Sequence, residues 1–278
     1  MRIGVTGSNG FIGRTLLNSL RSNSLDAVPI VLPKSPDVFD PSVLERALAM
    51  SSLDVVVHLA AIRNPTNDYE FSVNAKLPAL LEKIVARRFP AARFIHISSI
   101  NTVISERCDA YSVSKRRAEN ELKDSAAIIV RPGIIWSWKT GQGGDAERLR
   151  NYLSLPLPFH PIPFPGQLYR PVIVEDFADR LAALIAEKDA PSVINVLGGM
   201  PVTIWELAKC LSSATKVKLL PVPTAFLEIF FPAGMLRHIP VPLRSTDSTT
   251  PENSMGLPAD LTWELPFSIP FRKNTGSQ

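Results

Sequence analysis

The chain has 278 residues, 45% of them apolar and 20% charged, and 30 Lys+Arg against 26 Asp+Glu give a formal charge of +4. That composition suits a globular protein able to bury a full core, and so mild and scattered a basic excess leaves no nucleic-acid footprint. Two cysteines, Cys108 and Cys210, exclude a disulfide framework and fit a reducing, cytoplasmic compartment, while four histidines without ligand spacing exclude a metal centre. Arg2–Thr6 is a short apolar run that predicts a strand, with no signal peptide ahead of it. Ile12, Leu16, Leu17 and Leu20 recur at helical spacing and predict a helix over 11–20. Residues 27–32 read as a strand closed by Pro33, and 41–50 as a helix with Val43, Ala47 and Leu48 facing inward. Residues 54–59 are β-branched and almost wholly apolar, and a strand without polar alternation is buried on both faces of a parallel sheet. A helix over 73–88, a strand over 93–98, a helix over 110–123 and a strand over 126–131 follow. This alternation implies an α/β fold, a doubly wound parallel sheet with helices on both faces. Further on, 175–188 reads as a helix, 192–197 as a last short strand and 205–213 as a helix.

The punctuating residues divide the chain. Glycine occurs at positions 4, 7, 10 and 13 and not again until Gly133, whereas 18 of the 25 prolines follow Arg131. A regular unit over 1–135, with 172–198 returning to it, is therefore expected beside a smaller, proline-rich region over 136–171 and 199–278. The apolar run from Leu219 to Leu236 is interrupted by Pro221, Pro223, Glu228 and Pro232, so no transmembrane segment is expected. The patch at Phe226, Phe230 and Phe231 reads as core or a lid, with a membrane-facing surface as the alternative.

Between the first strand and first helix stands Thr6-Gly7-Ser8-Asn9-Gly10-Phe11-Ile12-Gly13, a glycine-rich turn in the setting a dinucleotide requires. Gly7 would make the tight turn, Gly10 would admit a pyrophosphate, and Gly13 would let helix and strand pack closely. The helix N-terminus would then hold the phosphates. An acid after the second strand selects a ribose hydroxyl and a cation there accommodates a 2′-phosphate. Lys34 and Ser35 occupy that stretch and lean toward NADP, Asp37 follows, and the choice between NAD and NADP stays open.

Tyr111-Ser112-Val113-Ser114-Lys115 is the second signal. Tyrosine and lysine four residues apart share one helix face, and a neighbouring ammonium favours the phenolate, so the phenol can exchange a proton with a substrate oxygen. Ser98 and Ser99 end a strand at the sheet edge that faces the ligand crevice, where a hydroxyl can orient the same oxygen. His58 and His96 read as hydrogen-bonded core groups, and Cys108 lacks a base that would make it a nucleophile.

These residues resemble the short-chain dehydrogenase/reductase superfamily, and within its extended branch the NAD-dependent epimerase/dehydratase family. The resemblance runs through the glycine turn, the strand 54–61, Val73-Asn74, Ser98-Ser99, Tyr111-x-x-x-Lys115, Val130-Arg131-Pro132-Gly133-Ile134 and the run 172–178. It implies a Rossmann-type sheet with a smaller substrate-binding region. Tyr111 would be the acid/base, Lys115 its partner and a ligand of the nicotinamide ribose, and Ser99 the substrate-orienting hydroxyl. Counting along the strand from Phe94 selects Ser99; counting back from Val103 would select Ile100, but a loop absorbs a one-residue gap and a strand does not. The resemblance further gives the dinucleotide Gly7, Asn9, Gly10, Phe11, Ile12, Gly13, the shelf Leu59-Ala60-Ala61, and Pro132-Gly133-Ile134. It makes Asn74 a structural hydrogen-bonding residue. Arg170 would contact a substrate phosphate, one position away from the family's arginine, with Arg148 and Arg150 as alternatives. Only twelve positions separate Ser99 from Tyr111, a shorter loop than nucleotide-sugar members carry. The expected activity is epimerisation or ketone reduction at C4 of a sugar, nucleotide-linked, by a homodimer assembled through the helices near Val73 and Ala110. A non-catalytic dinucleotide-binding subunit of the same fold is the alternative.

Overall fold

A computed structural model of the protein describes residues 1–33, 37–49, 52–105, 107–139, 144–164, 168–187, 189–213, 217–223 and 262–267. In chain order the elements are β1 (Arg2–Thr6), α1 (Phe11–Ser22), β2 (Asp26–Ile30), α2 (Pro41–Ala47), β3 (Val55–His58), α3 (Asp68–Ala75), α4 (Leu77–Arg88), β4 (Arg93–Ile97), α5 (Ala110–Leu122) and β5 (Ile128–Pro132). Then come β6 (Ile135–Trp136), α6 (Gly144–Leu153), β7 (His160–Phe164), β8 (Leu168–Tyr169), β9 (Val172–Ile173) and α7 (Val174–Ala186). The last are β10 (Val193–Gly198), β11 (Val202–Thr203), α8 (Ile204–Ser213), β12 (Leu219–Pro223) and β13 (Thr262–Leu265). They form two compact units, one from Met1–Gly133 and Val174–Val196, the other from Ile134–Ile173 and most of the described residues from Leu197 onward. Lys34, Ser35 and the patch at Phe226, Phe230 and Phe231 lie outside the described residues.

The first unit is a Rossmann-type α/β fold. Its sheet has the order β13-β10-β5-β4-β3-β1-β2, and the pairings from β10 to β2 are all parallel. β3 is buried along its whole length, as its unbroken apolar run demands. On one face Leu16, Leu17 and Leu20 of α1 pack toward α7, whose Phe177, Leu181 and Leu184 are buried, and Ser19 Oγ donates to Asp179 at 2.5 Å. On the other face Leu44, Leu77, Leu81, Ile84 and Val85 cover Val56, Phe94 and Ile129. Each such side chain contributes about 1.5–3 kcal/mol of burial. The register sets Thr6 beside His58 and His58 beside His96, so β1, β3 and β4 end together at one edge. The chain leaves β1 toward β2 on one side and returns to β3 on the other, which opens a crevice beyond those strand ends.

Several elements differ from the sequence reading. The helix expected over 41–50 ends at Ala47, and it buries Leu44, with Leu48 just after it, while Val43 and Ala47 are only partly buried. The helix expected over 73–88 is two helices that meet at Lys76. Asn67 caps the first, its side chain accepting from the Glu70 N–H at 2.9 Å. Pro78, in the opening turn of α4, has no N–H to extend a helix from before it. β2 ends at Ile30, two residues early, and its Pro29 is tolerated because β2 is the outer strand of the described sheet.

The second unit has small two-stranded sheets, β8 with β11, β7 with β12 and β6 with β9, around a core that includes Trp136, Leu149, Tyr152, Ile162 and Leu207. Its strands are short and proline-broken, which is why periodicity missed most of them. Tyr152 donates to the Pro161 carbonyl at 3.0 Å, and burial pushes its phenol up to about 12. Among the described residues no helix is long and apolar enough to cross a membrane.

Candidate functional site

The turn after β1 is set by backbone geometry. Gly7 has φ +65, and its carbonyl accepts the Gly10 N–H at 2.9 Å. A Cβ on Gly13 would sit 2.2 Å from the Gly7 oxygen, so the third glycine lets α1 close against the turn. α1 starts at Phe11 with Gly10 before it; no side chain caps it and no acid lies in its first turn. Its positive end is therefore left for an anion from outside. Beside the turn a groove of about 400 Å³ is lined by Gly7–Gly10, by Leu59–Ile62, by Ile30–Pro33, and by Val38, Tyr69, Val73 and Leu77. Glycines at a helix end, a backbone shelf opposite and apolar walls fit a dinucleotide: phosphates at the turn, a flat base between the walls.

Of the expected cofactor residues, Gly7, Asn9, Gly10, Leu59, Ala60 and Ala61 line this groove, while Phe11, Ile12 and Gly13 lie in the first turn of α1. Asp37 does not line it. It opens a 3-10 turn over Asp37–Phe39 that sends the buried Val38 into the wall instead. The residue that directly follows β2 is Val31, 72% exposed. Pro132 is buried at the end of β5, and the Gly133 N–H donates to Val196 at 2.8 Å. Ile134 belongs to the second unit, where its carbonyl accepts from the Val172 N–H.

At the end of β4 the two serines part. Ser98 Oγ turns inward and donates to Glu119 Oε1 at 2.5 Å. Ser99 Oγ accepts the Asn101 N–H at 3.2 Å, capping a 3-10 turn over Ile100–Val103; that bond uses a lone pair and not the hydroxyl proton. Glu119 Oε1 also accepts from Thr102 Oγ1 at 2.9 Å, and the Arg131 guanidinium spans both its oxygens, with Nη2 to Oε2 at 2.6 Å. One buried carboxylate thus joins β4, the turn carrying Ser99, β5 and α5.

α5 is positioned from several sides. Asp109 caps it, accepting from the N–H and the hydroxyl of Ser112. Arg116 donates to the carbonyls of Thr102, Ile104 and Arg107, which shapes the short loop before Tyr111. Asn74 of α3 bonds both backbone groups of Ile62 and donates to Ser114 Oγ, the structural role read from the sequence. Lys115 is 2% exposed, and its Nζ donates to the carbonyl of Ile97, two residues before Ser99, at 2.8 Å. Burial pulls its ammonium down to about 8, and the Glu119 charge opposes that. Tyr111 stands one helical turn before Lys115, half-buried.

His58 and His96 are fully buried and stacked, with ring centroids 5.5 Å apart. Burial, with Lys115 adding to it, holds His58 down at about 3 and His96 well below its ordinary value. His58 Nδ1 meets Thr6 Oγ1, but neither ring nitrogen of His96 has a hydrogen-bond partner, contrary to the expectation of a hydrogen-bonded core group. Arg170 is buried in the second unit, donating to the Gly198 carbonyl at 2.7 Å and pairing with Glu264 at 2.5 Å, so its guanidinium already serves that unit's own structure. Arg148 pairs with Asp145; Arg150 pairs with Glu147 and donates to the Ser137 carbonyl.

Sequence reading missed Glu119, Arg131, Thr102 and Tyr69. Tyr69 would have been found from its Asn67-x-x-Glu70 cap, which starts α3 ahead of Val73. The Glu119 hub leaves no such trace, because its partners are distant in sequence.

Residues 3–128 match the model of the NAD dependent epimerase/dehydratase family. The chain is 30% identical over 138 residues to a UDP-2-acetamido-2,6-beta-L-arabino-hexul-4-ose reductase of Pseudomonas aeruginosa, covering 49% of this chain; it spans about a third, 34%, of that relative's length. Among solved structures, it resembles a dTDP-4-dehydrorhamnose reductase of Bacillus anthracis in complex with NADP (TM-score 0.68, 19% identity, covering 82% of this chain and 85% of that one). It also resembles a Thermus thermophilus UDP-glucose 4-epimerase in complex with NAD (TM-score 0.64, 19% identity, covering 80% and 86%).

Proposed function

We propose, from the match of residues 3–128 to the model of the NAD dependent epimerase/dehydratase family, that the chain is an NAD(P)-dependent enzyme acting on a hydroxyl or ketone of a nucleotide-linked sugar, at C4. One observation carries the reading: the uncapped α1 and its groove stand at the same sheet edge as the end of β4, where α5 docks through Lys115 on the Ile97 carbonyl and through Glu119 on the Ser98 hydroxyl. The relatives named as a 4-ketosugar reductase and a 4-epimerase supply the substrate class.

In this reading the backbone of Gly7–Gly10 and the first turn of α1 hold the pyrophosphate, and Leu59–Ala61 flank the dinucleotide. A nicotinamide dinucleotide, when bound, supplies hydride exchange with the sugar carbon. Tyr111 exchanges the proton of the reacting oxygen, Ser99 holds that oxygen by its hydroxyl, and the Lys115 ammonium favours the phenolate and binds the ribose. Pro132 and Gly133, at the end of β5 in the first unit, are assigned to the nicotinamide end. Among the described residues the groove has no carboxylate after β2, where Val31, Leu32 and Pro33 stand, and this favours the 2′-phosphorylated dinucleotide. A dissociable NADP(H) would make the reaction a ketone reduction; a retained NAD would make it an epimerisation.

The test is Tyr111→Phe, followed by nicotinamide absorbance with UDP- and dTDP-linked 4-ketosugars. Turnover is expected to fall about 10²–10⁴-fold with dinucleotide affinity unchanged. Turnover equal to the unmodified protein's would remove Tyr111 from the chemistry.

A further inference from the structure

Leu59 and Ala60, the shelf of the groove, are held from behind by one side chain. Thr6 is the last residue of β1 and fully buried, and its hydroxyl oxygen accepts the N–H of Leu59 at 3.2 Å and of Ala60 at 3.3 Å. The same oxygen lies 2.8 Å from Nδ1 of His58. A hydroxyl offers two lone pairs and one proton. With both lone pairs engaged by backbone N–H groups, its third bond is a donation, so Nδ1 of His58 accepts and the ring proton sits on Nε2, which is buried without a hydrogen-bond partner of its own. A protonated Nδ1 would set a third donor against that oxygen and displace one of the shelf N–H groups. Complete burial keeps the ring neutral, the form this arrangement needs.

The shelf in turn bounds the glycine turn. A Cβ on Gly7 would lie 2.7 Å from the Ala60 nitrogen, so turn and shelf are in contact and a shift of one displaces the other. Thr6 and His58 do not line the groove, yet both of its backbone walls depend on them.

We infer that Thr6 and His58 are a positioning pair for the dinucleotide: a neutral, Nε2-protonated imidazole fixes the rotation of the Thr6 hydroxyl, and that hydroxyl fixes the Leu59–Ala60 shelf against the Gly7 turn. The role rests on the groove being a dinucleotide site.

The experiment titrates NADPH and NADH into the full chain and its variants at neutral pH, followed by fluorescence. Thr6→Val, which leaves two part-buried backbone N–H groups without their acceptor, weakens binding about tenfold or more, and Thr6→Ser restores it to within about twofold. His58→Asn keeps an acceptor near the Nδ1 position and binds like the unmodified protein, whereas His58→Leu binds several-fold more weakly. Independently of folding in any variant, NMR of the ¹⁵N-histidine-labelled unmodified protein shows His58 as the neutral Nε2–H tautomer. A His58 proton on Nδ1, or Thr6→Val binding as well as the unmodified protein, overturns the inference. Unmodified protein that binds neither dinucleotide overturns the proposed function and the pair's role with it, while the tautomer result would still report on the hydrogen bond alone.

Discussion

Replacing Lys115 by methionine should make the protein more stable at neutral pH, even though the proposed chemistry needs the amine. The side chain is buried, its Nζ bonded to the Ile97 carbonyl, with His58 on β3 and His96 on β4 facing it and Glu119 one turn further along α5. In the unfolded chain the ammonium holds its proton up to 10.5; in the folded one it releases it at about 8. Below about 8 both states are charged, and the fold bears the whole cost of a buried cation. As pH rises from about 8 to 10.5 the folded amine is neutral and that cost fades. The displacement corresponds to about 3 kcal/mol. Loss of the bond to Ile97 returns about 1 kcal/mol, so Lys115→Met should gain about 2 kcal/mol at pH 7. Urea unfolding followed by tryptophan fluorescence reads it: a higher midpoint at pH 7 with an unchanged slope, and a gap that closes by pH 10.5. A variant less stable than its parent at pH 7, or a gap indifferent to pH, would show that the ammonium is no burden to the fold.

Glu119→Ala leaves Arg131 without its partner and Ser98 without its acceptor; it should cost about 3 kcal/mol or more, seen as a fall of about 10 °C in Tm. Gly13→Ala drives a methyl to 2.2 Å from the Gly7 oxygen, so the variant should lose the thermal stabilisation that NADPH gives its parent; retained stabilisation would mean the turn can yield. The homodimer proposed through the helices beginning near Val73 and Ala110 should give twice the chain mass by light scattering, and a monomer at working concentration refutes it.

Composition and periodicity were enough to identify a parallel sheet, because β3 is buried on both faces and carries no polar alternation to say otherwise. The glycine turn was equally legible: Gly7 needs a positive φ and Gly13 meets a carbonyl, and each demand falls on a single residue type at a local spacing. Tyr111 and Lys115 were visible for the same reason, four residues apart on one helix. Boundaries were less so. β2 stops at Ile30, and Pro78 divides what reads as one helix, since an apolar run does not announce where its hydrogen bonds end.

Tertiary structure alone decided how the chemically capable side chains are employed. Ser98 and Ser99 are neighbours of one type, but only the fold turns the first toward Glu119 and leaves the second to cap the turn. Arg170, which the resemblance makes a phosphate contact, pairs with Glu264, 94 residues away. Thr6, His58 and the shelf are joined across 52 to 54 residues of chain. The physical reason is the range of the forces: backbone preferences are written within a few residues, whereas a hydrogen bond or ion pair between distant segments exists only after the chain has packed.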